Sequence, residues 1–272
     1  MRVGLVWISP LLLWAGASQA STSLAPVGPW QITEGTDECR LMRTFGSAQD
    51  PQILRFARGS GLDSFDMVFA GTTIPRLGNR VTVTFRLLPN GPTQASEAIW
   101  GFVPGRKERF LRWWDADPAF LDAIGEDQEI EIGVDGKFVV TIHAAKAKAA
   151  LRGLGACHDR LLKGWGLDTA ALKALSQRAK PRASPGTWVS ASDYPSDALQ
   201  RGAGGTAVVL LTINTNGDVN ACRIVQTSGN PSLDTVSCQM LRLRAKYHPA
   251  RGQDGQPVES QDIHRIRWII PA

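Results

Sequence analysis

The chain has 272 residues, of which 43% are hydrophobic and 20% charged, with a formal net charge of +5. That is enough apolar material for ordinary cores and more length than one average domain needs. The positive excess is mild and spread along the chain with no basic–aromatic stripe, so it gives no ground for a nucleic-acid partner.

Residues 1–20 read as a secretory signal peptide. Arg2 supplies the positive start, Val3 to Trp14 an apolar run broken by Ser9 and Pro10, and Ser18 and Ala20 the small residues a signal peptidase requires before the cut. The run falls short of the roughly 20 apolar residues of a comfortable membrane span. The competing reading is an uncleaved N-terminus anchoring the chain in the inner membrane. Behind a signal peptide, an even set of cysteines, Cys39, Cys157, Cys222 and Cys238, points to disulfides formed in an oxidising periplasm.

Residues 21–179 read as a β-rich envelope domain. Candidate strands are Glu38–Phe45, Gln52–Ala57, Ser64–Ala70, Arg80–Leu88, Glu97–Val103, Arg109–Trp114, Glu129–Val134 and Lys137–His143, punctuated by Gly, Pro and Asn-Gly. Asp135-Gly136 is a hairpin signal. Trp113 and Trp114 are adjacent on a strand and must face opposite sides, one in the core and one partly exposed. Asp117 can then cap a helical turn over Pro118–Ile124; an aromatic and acidic patch with Asp115, binding a glycan or peptide, is the alternative. Next the period changes. Ala144 to Lys163 is helix-like, with Leu151, Leu154, Cys157 and Leu161 near one face, and Asp168 can cap a second helix, Thr169 to Arg178. Cys39 on the first strand and Cys157 in the closing helix are expected to pair, the alternative being two buried free thiols. That bridge would close a loop of over a hundred residues, nominally worth about 4 to 5 kcal/mol. The arrangement has a distant similarity to secreted bacterial proteins of the invasion-associated locus B type, which carries no motif and hence no site residue.

Residues 180–186, with Pro181, Pro185 and Gly186, read as a short extended linker of about 20 Å, which keeps the flanking units close. Residues 187–272 read as a small α+β unit, a three-stranded antiparallel sheet with two helices. Ala207 to Ile213 suits a buried strand. Thr215-Asn216-Gly217-Asp218 suits a two-residue type I′ hairpin leading into Val219–Gln226. Asn230 or Ser232 can cap the following helix, with Pro231 near its first turn, and Leu233, Val236, Met240, Leu243 and Tyr247 recur at helical spacing. In the last strand Ile266, Trp268 and Ile270 point one way, Arg265 and Arg267 the other, towards solvent. Cys222 and Cys238 are expected to tie the second strand to the long helix. Strict alternation sets Cys222 opposite Val219, so the bridge calls for a bulge after Val219; otherwise one thiol is buried and one exposed.

Between Trp188 and Trp268 the landmarks Tyr194-Pro195, Thr227-Ser228-Gly229, Leu233-Asp234 and Tyr247-His248-Pro249-Ala250 fall in an order that resembles the C-terminal domain of TonB. TonB is the periplasmic protein that connects inner-membrane energy to outer-membrane receptors. The resemblance implies a periplasmic adaptor supporting energy-dependent outer-membrane transport. An outer-membrane receptor, or another envelope protein, would add a short segment as a strand to the sheet edge formed by Asp262 to Trp268. The implied contacts are Asp262, His264, Arg265, Ile266, Arg267 and Trp268, with Tyr194 and Pro195 near the receptor; Tyr194 can equally plug the core with Pro195 starting the first helix, and Arg265 and Arg267 can equally protect a bare edge from aggregation. An ExbB/ExbD-type inner-membrane complex and a second copy of the chain are the other implied partners. This sequence departs from the family in two respects. It has no histidine before His143, so the coupling histidine of the family's anchor has no counterpart, and the long Pro-rich spacer is missing. A structural or sensory envelope protein that self-associates through this domain is the alternative reading.

Nothing in the sequence suggests an enzyme. His143, His158, His248 and His264 are scattered, with no His-x-x-x-His or Cys-x-x-Cys spacing for a metal, and no Gly-x-Ser-x-Gly elbow occurs. Gly202-Ala203-Gly204-Gly205 precedes a strand rather than opening a helix, which fails the geometry of a phosphate cradle. No catalytic residue, metal or cofactor is expected. The signal-peptide reading predicts a mature chain that begins at Ser21 in the periplasmic fraction. Mass spectrometry of the native N-terminus checks this, and intact Met1 in an inner-membrane fraction would restore the anchored reading.

Overall fold

The computed structural model describes residues 23–270, apart from 60, 61, 63, 64, 115 and 116. The signal-peptide reading of residues 1–20 and the part assigned to Asp115 lie outside the described residues.

Nine strands come first: β1 (Pro26–Glu34), β2 (Cys39–Gly46), β3 (Pro51–Arg58), β4 (Asp66–Gly71), β5 (Arg80–Leu88), β6 (Thr93–Phe102), β7 (Arg109–Trp114), β8 (Asp127–Val134) and β9 (Phe138–Ala145). They form one antiparallel sheet in the order β1-β2-β3-β4-β7-β6-β5-β8-β9. The sheet curls almost shut into a barrel. Leu24, just before β1, donates its N–H to the Thr141 carbonyl (2.8 Å) and accepts from the His143 N–H (3.0 Å). Trp30 and Arg43 both donate to the Ala145 carbonyl. Alternation fills the interior: Val81, Val83, Phe85 and Leu87 are buried while their neighbours on β5 face out. Phe85 stacks on the buried Trp113 at 4.2 Å. Trp114 points outward beneath Arg112, and Asp117 caps α1 (Pro118–Asp122) by accepting from the Ala119 N–H. At the β8–β9 turn both Asp135 (φ 47°) and Gly136 (φ 66°) take the positive φ of type I′. β1 escaped the sequence reading because Pro26, Gly28 and Pro29 look like loop punctuation. Its register with β2 indeed slips between Val27 and Gln31.

Helix α2 (Ala147–Gly164) packs against β1, β2 and β3, burying Leu154, Cys157, Leu161 and Leu162. Cys157 is bonded to Cys39 of β2, with Cα atoms 6.1 Å apart. In α3 (Thr169–Lys173) the Asp168 carboxylate accepts from the N–H groups of Ala170 and Ala171. This helix is shorter than the expected Thr169–Arg178. Past Ala174 the chain turns to run beside the C-terminal region, where the N–H groups of Ser176 and Gln177 donate to the Arg251 carbonyl.

The remaining elements are β10 (Lys180–Pro181), α4 (Ser196–Gln200), β11 (Gly205–Ile213), β12 (Val219–Gln226), α5 (Pro231–Arg244), β13 (Tyr247–His248), β14 (Ala250–Arg251), β15 (Pro257–Val258) and β16 (Ser260–Trp268). β12-β11-β16 form a three-stranded antiparallel sheet; β10 pairs with β13, and β14 with β15. The β11–β12 turn differs from the expected type I′. Only Gly217 takes positive φ (87°), and the Gly217 N–H donates to the Asn214 carbonyl, a turn closed by a left-handed glycine. Asn230 caps α5 through the N–H groups of Ser232 and Leu233. The buried face of α5 also differs from the expected one: it is Leu233, Ser237 and Leu241, while Leu243 is 65% exposed and Tyr247 lies beyond the helix. Ser237 belongs on that face because its hydroxyl accepts from the Trp268 indole at 2.9 Å. The Cys222–Cys238 bridge is present, Cα atoms 5.6 Å apart. β12 carries the bulge that it calls for, with Asn220 inserted between Val219 and Ala221 against the β11 ladder.

The second face of this sheet is not open to solvent. Val209, Leu211 and Ile213 form the core on the α5 side. Val208, Leu210 and Ile263 belong instead to the core that runs into the barrel through Leu162, Trp165, Leu167 and Leu172. Polar contacts frame that junction. Arg223 donates to the Trp165 carbonyl (2.8 Å), the Asp168 N–H donates to Gln261 (3.0 Å), and Arg265 pairs with Asp37 (2.7 Å). Arg265 is thus a junction residue and not the purely solvated charge that alternation implied.

His158, beside Cys157, is buried and donates from Nε2 to the Gly59 carbonyl (2.8 Å). Burial, then the nearby Arg58 charge, hold its pKa down to about 4. Between roughly pH 6.5 and 4 the unfolded chain binds a proton that the folded chain refuses, so stability must fall as pH drops through that window, by up to about 3 kcal/mol. Urea denaturation at pH 7, 5.5 and 4 should show this slope in the wild type and a flatter one in His158→Gln; equal slopes would remove His158 as the cause.

Candidate functional site

A sheet edge is a row of unpaired N–H and C=O groups, and folded proteins blunt such rows with bulges, closure or charge. The barrel's outer strands meet through the Leu24 bridge to Ile142 and the Trp30 and Arg43 bonds to the Ala145 carbonyl. In the C-terminal sheet the β12 edge is interrupted twice, at Asn220 and again near Val225, where the register with β11 shifts. β16 is different. Its nine residues pair with β11 from Gly205↔Trp268 to Ile213↔Ser260 without a slip, and it has no strand on its other side. Among the described residues of the C-terminal sheet it is the long, regular, open edge.

Backbone direction along this edge is readable at one end. The Ile263 N–H donates to the Asp262 carboxylate (2.8 Å), so it turns away from β11. The alternation of an antiparallel ladder then turns Arg265 and Arg267 outward as well. Side chains alternate in the perpendicular sense. His264, Ile266 and Trp268 lie on the α5 side, whereas Ile263 and Arg265 face the barrel.

A groove of about 360 Å³ runs beside the edge, between His264–Ile269 and the segment 185–194. Trp188 forms its floor, edge-on to His264 at 5.1 Å, and Tyr194 its far end, edge-on to Trp268 at 5.2 Å. Tyr194 also donates its hydroxyl to the Ala203 carbonyl, and Pro195 occupies the cap position of α4. Beneath the groove His264 Nε2 lies 2.7 Å from the Tyr247 hydroxyl and 2.9 Å from the Asp262 carboxylate. Burial, with the Asp262 charge added, pushes the Tyr247 phenol far above its ordinary range, so it stays a neutral hydrogen-bonding group.

All the residues expected on the edge, Asp262, His264, Arg265, Ile266, Arg267 and Trp268, are on one strand, with Tyr194 at its C-terminal end. They divide by role. Asp262 terminates the open edge, His264 and Trp268 anchor the strand to α5 and β13, and Ile266, Arg265 and Arg267 border the open side. Sequence reasoning missed Trp188 and the Ser190–Asp193 turn that walls the groove. Ser190-x-x-Asp193 is a capping-box spacing and could have flagged that turn: each side chain caps the other's backbone, and Asp193 also takes both guanidinium nitrogens of Arg244 on α5 (2.6 and 2.8 Å).

Residues 190–270 match the family described as Gram-negative bacterial TonB protein C-terminal. The match covers α4, the three-stranded sheet and α5, and stops short of Trp188 and the barrel. Among curated proteins, no sequence matches the chain.

Arg244, first by hydrogen bonding, holds the Asp193 carboxyl down to about 2. A carboxylate with a depressed folded pKa stabilises fully above its unfolded value near 4 and loses that contribution as pH falls towards 2. Arg244 is more than a third exposed, so screening reduces the gain to about 1 kcal/mol at pH 7. Asp193→Asn should therefore lower stability by about that amount at pH 7, a deficit that shrinks from pH 4 downwards; a deficit independent of pH would contradict the assignment.

Proposed function

We propose that this protein is a TonB-like adaptor of the bacterial cell envelope. In this reading it works in the periplasm and binds a short extended segment of an outer-membrane receptor or another envelope protein by strand addition at β16. The observation that carries the reading is the unbulged, unpaired edge of β16 beside an aromatic groove, in a segment of TonB C-terminal type. Backbone bonds from the outward groups of Arg265 and Arg267 would supply affinity, and the pocket over Trp188 would supply selectivity. The groups present suit binding rather than catalysis: the His264–Asp262–Tyr247 cluster is turned inward to fasten β16 to β13. Transport would be the process served and the receptor the partner, with the energy-coupling complex of the inner membrane a further partner.

Proline tests the edge directly, because it removes an N–H donor and is tolerated at outward positions of an edge strand. Arg267→Pro should leave the urea midpoint of the full chain near wild type, since the lost N–H points away from β11. Binding of a receptor-derived segment should fall about tenfold or more, the cost of a lost backbone bond and its neighbour. Undiminished binding by a folded Arg267→Pro would place the partner elsewhere.

A further inference from the structure

Resting on the strand-addition reading, we propose that the N-terminal barrel is part of the recognition site. Its Asp37–Glu38 turn neutralises Arg265 and so confines recognition of an acidic peptide residue to Arg267.

An added strand would follow the alternation of β16, its residues falling in turn beside the aromatic groove and beside the arginine row. Two arginines two positions apart would accept two acidic residues at the same spacing. The barrel changes this. Asp37, in the turn between β1 and β2, lies 2.7 Å from one guanidinium nitrogen of Arg265, and Glu38 lies 4.0 Å from the other. Glu38 is itself bonded to Arg40. The four charges balance, and the two carboxylates are largely buried, with side chains 17% and 11% exposed. A further carboxylate beside Arg265 would meet two already in place.

Arg267 is exposed and, among the described residues, makes no ion pair. At the other end the edge is closed by Asp262, whose carboxylate already takes the Ile263 N–H. The open stretch thus runs over His264–Ile269, the residues that line the groove. The ligand class that fits is a short extended peptide with apolar residues on the groove side and a single acidic residue on the other, set opposite Arg267. The barrel thereby takes part in choosing the partner, and the isolated C-terminal region would choose less sharply.

Calorimetry on the full chain tests this with three alternating valine–threonine hexapeptides that carry no glutamate, one, or two at neighbouring threonine positions. The first glutamate should tighten binding to wild type roughly two- to fivefold, the size of an exposed cross-strand charge pair, and the second should add nothing. In Asp37→Asn with Glu38→Gln the second glutamate should add a further factor of roughly two to five, and Arg267→Gln should abolish the gain from the first. Both gains should shrink in high salt. Asp37→Asn alone serves if the double variant melts early. A second glutamate that strengthens wild-type binding as much as the first, or one indifferent to Asp37 and Glu38, overturns the proposal. Equal binding of all three peptides also overturns it and leaves the strand-addition reading standing, whereas no binding by any of them would end both.

Discussion

The central strand β11 has no side left for solvent. Residues 207–211 are each 5% exposed or less, so both faces of the sheet must be covered, and both ladders of the strand are already taken by β12 and β16. Helix α5 covers one face. The other is covered by Trp165, Leu167 and Leu172, which lie at the end of α2 and in α3. Each Å² of apolar surface removed from water there contributes about 25 cal/mol, alongside the polar contacts that surround the junction. A substitution such as Leu210→Ala would therefore be felt at the barrel as well as in the sheet.

The rest of the C-terminal region follows from that constraint. The Cys39–Cys157 bridge fixes α2 to the barrel wall, and with it the apolar turn at the helix end that shares a core with Leu210. The Cys222–Cys238 bridge does the same for α5 on the opposite face, at the expense of regularity in β12. Segment 176–182 is pinned along 246–251 by backbone bonds and by Arg182, which donates to the Tyr247 carbonyl. With both faces covered and the β12 edge broken by two bulges, the regular open hydrogen-bonding edge of the sheet is left on β16.

Much of this was legible in the chain. Strand-rich runs between Gly, Pro and Asn-Gly punctuation located β5 and β7 to the residue, and in β5 a wall buried on one side and wet on the other fills every second position. Asn230, Asp168 and Asp117 were readable as caps because a side-chain oxygen at a helix start has one main use. What stayed hidden depended on distant partners. The continuous run of Ala207 to Leu211 signals burial on both faces, but nothing local says that the second cover comes from α2 and α3. Ser237 interrupts the apolar stripe of α5, so the stripe was assigned to Leu243 and Tyr247 instead; only the Trp268 indole explains a buried serine there. Arg265 read as a solvated charge because Asp37 lies more than two hundred residues away in sequence. The edge itself was found through family resemblance, and its regularity against the bulged β12 is a property of the folded ladder.

The open edge of β16 can be observed amide by amide. Hydrogen exchange with residue-level resolution on the full chain should show fast exchange at Arg265 and Arg267 and strong protection at His264 and Ile266, whose N–H groups enter the β11 ladder. Addition of a peptide that binds should then protect Arg265 and Arg267 while leaving His264 and Ile266 as they were. Protection of Arg265 and Arg267 in the free protein, or a peptide that binds without slowing them, would contradict the account.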